Sequence, residues 1–469
     1  MNDGMPISKP SITFNSLQRL VAVARLTIKA AFRFKLIPWL LLLLGTSIFS
    51  IPHLVSHNST AEMFTQVQLT YSLMAVTVIL GVSTVWLSCG VLNHDFQRHH
   101  MVLIASKPIH RWEIWLGKWL GILCLNTMLL LLSGTSIYAL LLGHAQDLPK
   151  VEQERLHQSV LTSRSSVVET APDEEAEVRL LYQKRSQKAS VAAMDPGMVK
   201  ERLREEVRWM NQLVKPGHRR IWKLQVGQSI QQESGDHLQI RVKFYASWFE
   251  DREEHPTVWM VGSPESPQRW ERQMNLSPMT THEWSVPANL IDPDGWLQVE
   301  CHNYTESSLV FRLEDGMEVL YSSGGFLKNY VMALIVLLSW MALLSALGLW
   351  AATFASLPVA TFLIMTLVLL CSSEQLFKSI VTEGTISSVD EHSGKAAWTH
   401  LDWLMVPVFK VIYQFTTALR SVQPIESLVT GRSIPTIPWL VHLAGVCGIL
   451  CFFLGGWGVY ILQRKELGK

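Results

Sequence analysis

Between Asn93 and Gly121 the chain reads NHDFQRHHMVLIASKPIHRWEIWLGKWLG, a run that gathers His94, His99 and His100 with Asp95, Arg98, Lys107, Arg111 and Lys118. Two kinds of chemistry are open to such a set. The imidazoles could hold a metal ion, or the charges could pin a partner's surface by charge-assisted hydrogen bonds. Metal binding on a helix needs two histidines one turn apart, and offsets of five and six from His94 miss the i, i+4 geometry. No metal site is expected, which leaves the charges.

Other catalytic signatures are missing. There is no GxxxxGK[ST] loop to cradle nucleotide phosphates, and no HExxH or GxSxG pattern. The apolar segments carry no acids placed for a proton relay: Glu374 falls close to a segment end and His442 stands alone. No basic face suited to nucleic acid is present. The cysteines give no metal spacing, and five of the six (Cys89, Cys124, Cys371, Cys447 and Cys451) fall in or beside apolar runs.

The elements that must position the charged run are apolar. Charged residues make up 17% of the 469 residues against 48% hydrophobic, well below the roughly 25% charge usual in soluble domains. A bilayer core takes about 20 apolar residues in helical form. Such runs are expected near 36–52, 67–92, 112–142, 330–352, 357–377 and 437–462, six transmembrane helices in all. Residues 1–35 precede them, and Arg19, Arg25 and Lys29 punctuate an amphipathic, basic helix suited to a membrane surface. The basic excess puts this end in the cytoplasm, and six crossings return the C-terminus there, giving a multi-pass protein of the cytoplasmic (inner) membrane with both termini cytoplasmic. The segment 378–436 contains DWLMVPVFKVIYQFTTAL, in which Lys410 argues against a seventh crossing and for the outer interface or a re-entrant element.

After the third run the composition changes. Residues 144–217 read as charged, solvated helices. Residues 218–325 shift to a period of two, as in HLQIRVKFYA, with turn signals ESGD, SPESP and DPDG between runs, which predicts a β-sandwich of roughly seven strands. Counting crossings places this insertion outside the cytoplasm. Trp222, Trp248, Trp259, Trp270, Trp284 and Trp296 are expected to be core residues rather than a sugar-stacking platform. Cys301, the one cysteine in a polar region, is expected to report the side of the membrane on which this domain lies.

The run from Asp95 to Lys118 resembles the loop and third-span entry of ABC-2 type ABC-transporter permeases, and is most similar to those linked to multi-copper-enzyme maturation. Asp95, Arg98, Ser106, Lys107, Pro108, Arg111, Trp112, Gly117 and Lys118 fit the pattern, whereas Gln97 stands where an acidic residue is usual. The basic first helix, FASLPVA at 354–360 and QRKEL at 463–467 are further points of similarity. The resemblance implies an ABC-2, type V exporter-like fold with an enlarged outer domain. It also implies a coupling loop at 93–112, whose Asp95, Arg98, Lys107, Pro108, Arg111 and Trp112 contact a separate ABC ATP-binding subunit. ATP and Mg would then sit on that subunit, leaving this chain without a cofactor or enzymatic activity of its own. A second permease chain, as homodimer or heterodimer, and an envelope protein at the outer domain are the other partners implied. Two rivals stand beside this reading: an ABC-type mechanotransmission complex that moves an envelope partner without transport, and a membrane-anchored extracytoplasmic binding or sensor protein.

Overall fold

The computed structural model describes residues 16–33, 35–54, 60–97, 110–169, 173–186, 196–227, 237–246, 254–263, 268–313, 315–373, 377, 380–381, 402–420, 423–434 and 437–464. The chain divides into two compact units, one formed by Met1–Leu161 with Phe326–Lys469 and the other by Thr162–Gly325.

The first unit is helical. Its helices are α1 (Ser16–Arg33), α2 (Leu36–Leu54), α3 (Ala61–Gln97), α4 (Arg111–Gln146) and α5 (Lys150–Ser159). After the second unit follow α8 (Phe326–Ala352), α9 (Leu357–Ser372), α10 (Asp402–Arg420), α11 (Pro424–Val429) and α12 (Ile437–Arg464). Among the described residues four helices are long and apolar enough to cross a membrane: α3, α4, α8 and the part of α12 from Gly445 to Arg464. The helices α1 and α2 reach a fifth only as a pair, bent by 68°. The bend falls at Lys35, which takes a left-handed φ of 56°. At 16 residues α9 is shorter than a usual crossing, for which about 17–25 are needed. Among the described residues six crossings are reached when the bent pair and α9 both count. Helix α10 is not among the four; it exposes Trp403, Leu404, Val408 and Val411 along with Lys410, and Pro407 lies inside it.

With 37 and 36 residues, α3 and α4 are about 55 Å long, well beyond a hydrocarbon core of about 30 Å. Small residues and a few buried hydrogen bonds hold the bundle. Gly348 of α8 receives Ser88 of α3 so closely that a Cβ would lie 1.8 Å from its Oγ. Tyr330 donates to the Gly134 carbonyl of α4 at 2.8 Å, and Trp119 to the Ala342 carbonyl of α8 at 3.0 Å. Without a hydrophobic drive between lipid-facing helices, such close backbone approach is the main source of helix association.

Among the described residues the second unit holds helices α6 (Glu174–Ser186) and α7 (Pro196–Gln212), paired over Val178, Leu203 and Val207, and eleven strands. The strands are β1 (Thr162–Val168), β2 (Leu213–Val214), β3 (Arg219–Gln225), β4 (His237–Lys243), β5 (Tyr245–Ala246), β6 (His255–Val261), β7 (Trp270–Leu276), β8 (Thr281–Pro287), β9 (Trp296–Asn303), β10 (Leu309–Val310) and β11 (Met317–Gly325). They form two four-stranded sheets, β1-β11-β4-β8 and β3-β9-β6-β7, and a small sheet β2-β10-β5. Leu238, Ile240 and Val242 of one large sheet share a single core with Leu297, Val299 and Cys301 of the other, the alternation expected of a sandwich. Two details differ from the sequence reading. Helix α5, placed there with the charged outer helices, packs in the helical unit through Leu156. The serine-rich stretch 162–168, read as helical, is a strand, because its ladder with β11 exists only through pairing across 150 residues or more.

The tryptophan expectation is met at Trp222, Trp259, Trp270 and Trp284 and fails at Trp296, which is exposed. Trp222 and Trp259 are fully buried and stacked at 5.9 Å, with Trp284 5.1 Å from Trp259, and Trp270 packs against the same core. Trp248 lies outside the described residues. Cys301 is 0% exposed, which corrects its expected use as a topology reporter. Burial pushes its thiol far above the ordinary range, against a weaker pull from the Arg220 guanidinium. A thiol reagent is therefore expected to leave Cys301 unmodified in the folded protein from either side and to label it fully after denaturation, as read by peptide mass spectrometry.

On the other face of the same sheet, the Glu300 carboxylate is 2% exposed and lies 2.7 Å from Arg269, 3.7 Å from Arg219 and 2.8 Å from the Gln298 amide. Burial raises its pKa, but the Gln298 hydrogen bond, the Arg269 charge, His302 and Arg219 together hold it below the usual value. A depressed carboxylate contributes stability above its unfolded pKa of about 4.3, and that contribution is lost as pH falls through the folded value. Glu300→Gln is expected to lower stability by about 1.5–3 kcal/mol near pH 7, with the gap to wild type closing as pH falls below 4.3. Thermal unfolding of the full chain across pH checks this.

Candidate functional site

The described part of the charged run maps onto the end of α3 and the start of α4. Residues 98–109 lie outside the described residues, so Arg98, Lys107 and Pro108, with His99 and His100, are not placed. The base of the loop is placed, and it is built from charges that bond to this chain.

Asp95 ends α3 three residues before the loop, and its carboxylate forms an ion pair with the Lys118 ammonium on α4. Lys118 is 3% exposed and also donates to the Val91 carbonyl at 3.3 Å. A lysine buried among apolar helices is costly unless paired and hydrogen-bonded, and both conditions are met here. Helix α4 begins at Arg111, where the buried Glu113 carboxylate accepts the His110 N–H at 3.0 Å and lies 3.7 Å from Arg19 of α1. An acid at the third helical position satisfies an otherwise orphaned N–H and suits the positive end of the helix. Arg111 donates to the Leu462 carbonyl near the end of α12, and Trp112 is 44% exposed.

Arg19 is thus half of an internal contact, whereas Arg25 and Lys29 lie on the exposed side of α1 with Leu17, Val21 and Leu26. The opposite side of α1 is fitted against α4. A Cβ on Gly117 would sit 2.7 Å from Val23 Cβ, and one on Gly121 2.8 Å from the Ala24 carbonyl oxygen. Contacts advance together along both chains, from Arg19 with Glu113 to Thr27 with Gly121, so α1 runs beside the first turns of α4 in the same direction. The membrane-surface helix of the sequence reading is therefore also a brace on α4. Further round α4, Trp115 seats its ring on α12, where a Cβ at Gly455 would lie 2.8 Å from Cζ3.

Sequence reasoning marked Asp95, Arg111 and Trp112 and counted Lys118 with the pattern, but it passed over Glu113 and the pairing of Gly117 with Gly121. Signals for both were present: an acid two residues after the helix start, and a G-x-x-x-G spacing inside an apolar run.

A helical unit with four helices of membrane-crossing length, joined in sequence to a β-rich unit, is the architecture of a transmembrane protein. No family model, curated protein or solved structure matches the chain.

Proposed function

We propose that this chain is the membrane subunit of an ABC-2 type transporter, converting ATP hydrolysis on a separate nucleotide-binding subunit into substrate export or another transmembrane movement. The observation that carries the reading is the bracing of the two helix ends that flank residues 98–109. The two ends are tied to each other by Asp95 and Lys118, to α1 by Glu113 and Arg19, and to α12 by Arg111. A load applied there reaches four helices at once, which a coupling element requires and a mere connector does not.

On this reading the residues divide their work. Asp95 and Arg111 brace the base, while Arg98, Lys107, Pro108 and Trp112 meet the ATP-binding subunit. Six crossings, with α9 and the α1–α2 pair included, put both termini in the cytoplasm and the sandwich outside. The test is co-purification with an ATP-binding cassette subunit of the same genome. Arg98→Glu with Lys107→Glu is expected to abolish capture while leaving thermal stability unchanged. Capture undiminished by that pair would rule out the coupling role.

A further inference from the structure

We propose that α4 has two seats against α8 and α12, and that Trp115, Trp119 and Asn126 trade hydrogen bonds between them. The inference does not rest on the proposed coupling to an ATPase; it concerns only how the helical unit moves.

Donors in the helical unit reach across to carbonyls of neighbouring helices. Tyr330 bonds the Gly134 carbonyl, Trp119 the Ala342 carbonyl, Lys118 the Val91 carbonyl and Arg111 the Leu462 carbonyl. Two donors of α4 do not follow suit. The Trp115 indole N–H and the Asn126 amide N–H have no hydrogen-bond partner among the described residues, although Trp115 is 4% and Asn126 1% exposed. Both nitrogens are enclosed by protein, so water does not reach them. An unpaired donor of this kind is a store of strain that a second arrangement of the same helices can release.

Trp115, Trp119 and Asn126 share one face of α4, because offsets of four, seven and eleven residues return to within about 40° on a helix of about 3.6 residues per turn. The bonded donor lies between the two unbonded ones, over about 16 Å of helix. Trp115 rests on α12, where a Cβ at Gly458 would lie 3.1 Å from its Nε1, and Trp119 reaches α8. A helix carbonyl beside glycine is open to a second donor, as that of Gly134 is to Tyr330, and Gly455 and Gly458 give α12 the same opening. The two rings also border a cavity of about 500 Å³, which leaves them room to shift. A slide or roll of α4 by a fraction of a turn breaks the Trp119 bond and brings Trp115 and Asn126 to carbonyls of α12 and α8. The step is discrete, since positions between the seats leave all three donors unpaired.

The test is fluorine NMR of the full chain in lipid nanodiscs, with a trifluoromethyl label on Cys124, an exposed cysteine of α4, whose signals are identified by their loss in Cys124→Ser. Two exchanging signals are expected. Trp119→Phe removes the bond that holds the present seat and should raise the second signal about fivefold relative to the first, the weight of one net hydrogen bond. Trp115→Phe together with Asn126→Leu removes the donors that only the second seat uses and should leave one signal. A single signal in both the wild type and Trp119→Phe would overturn the proposal, as would a second signal that survives the paired replacement of Trp115 and Asn126.

Discussion

Replacing Asp95 with leucine is expected to cost about 3–5 kcal/mol of stability, because it strands the Lys118 ammonium, 3% exposed, between α3 and α4. The reverse deletion is milder. Lys118→Met leaves the Asp95 carboxylate, whose side chain is 17% exposed, and its expected cost is about 1–3 kcal/mol. Removing both charges should recover most of the loss, since an apolar pair of similar volume is often as stable as a buried ion pair. Thermal unfolding in detergent of the two single variants and the double variant closes the cycle. Additive losses would mean that the pair does not bridge the helices. If the loop couples to an ATPase, the double variant separates stability from mechanism: it should fold and still lose the stiff link between the ends of α3 and α4.

Gly121→Val is the second large effect. Even an alanine Cβ there would come within 2.8 Å of the Ala24 carbonyl oxygen and 3.2 Å of its Cα, atoms of backbone that cannot rotate away. Forcing a branched side chain into this contact should separate α1 from α4 at a cost toward the top of the ~1–3 kcal/mol usual for overpacking. Gly117→Ala meets Val23 Cβ at 2.7 Å and is expected to follow the same direction to a smaller extent. Gly143, in the same helix, has open space around it, so Gly143→Ala should be neutral or stabilising by up to about 1 kcal/mol. The readout is Tm. Equal tolerance of valine at 121 and alanine at 143 would show that the helices are not in contact.

Much of the fold was legible because its signals are local. The helix of 16–33 was readable from apolar and basic residues on a helical period, and the strands after His218 from alternation, as in His237–Lys243. The apolar runs were readable from length alone, although α9 is shorter and α3 and α4 longer than composition suggested. Strand β1 was not legible, since nothing in TSRSSVV differs from a polar loop until β11 lies beside it. The site was half legible. Its charges stood out, but the sequence offered Asp95 and Arg111, with Arg98 and Lys107, as contacts for a partner.

What the sequence by itself determined are the properties that follow from nearest neighbours: membrane-length apolar helices, a two-period insertion, a basic first helix, and a charged loop between the second and third apolar runs. Only the tertiary structure decided how those charges are used. Asp95 and Lys118 are 23 positions apart, and Arg111 and Leu462 351 apart. No local pattern ties such pairs, because a buried charge selects whichever opposite charge or carbonyl the packing brings within reach. The same holds for the seat of Trp115 on α12, where the missing Cβ of Gly455, 340 positions away, makes room for the ring.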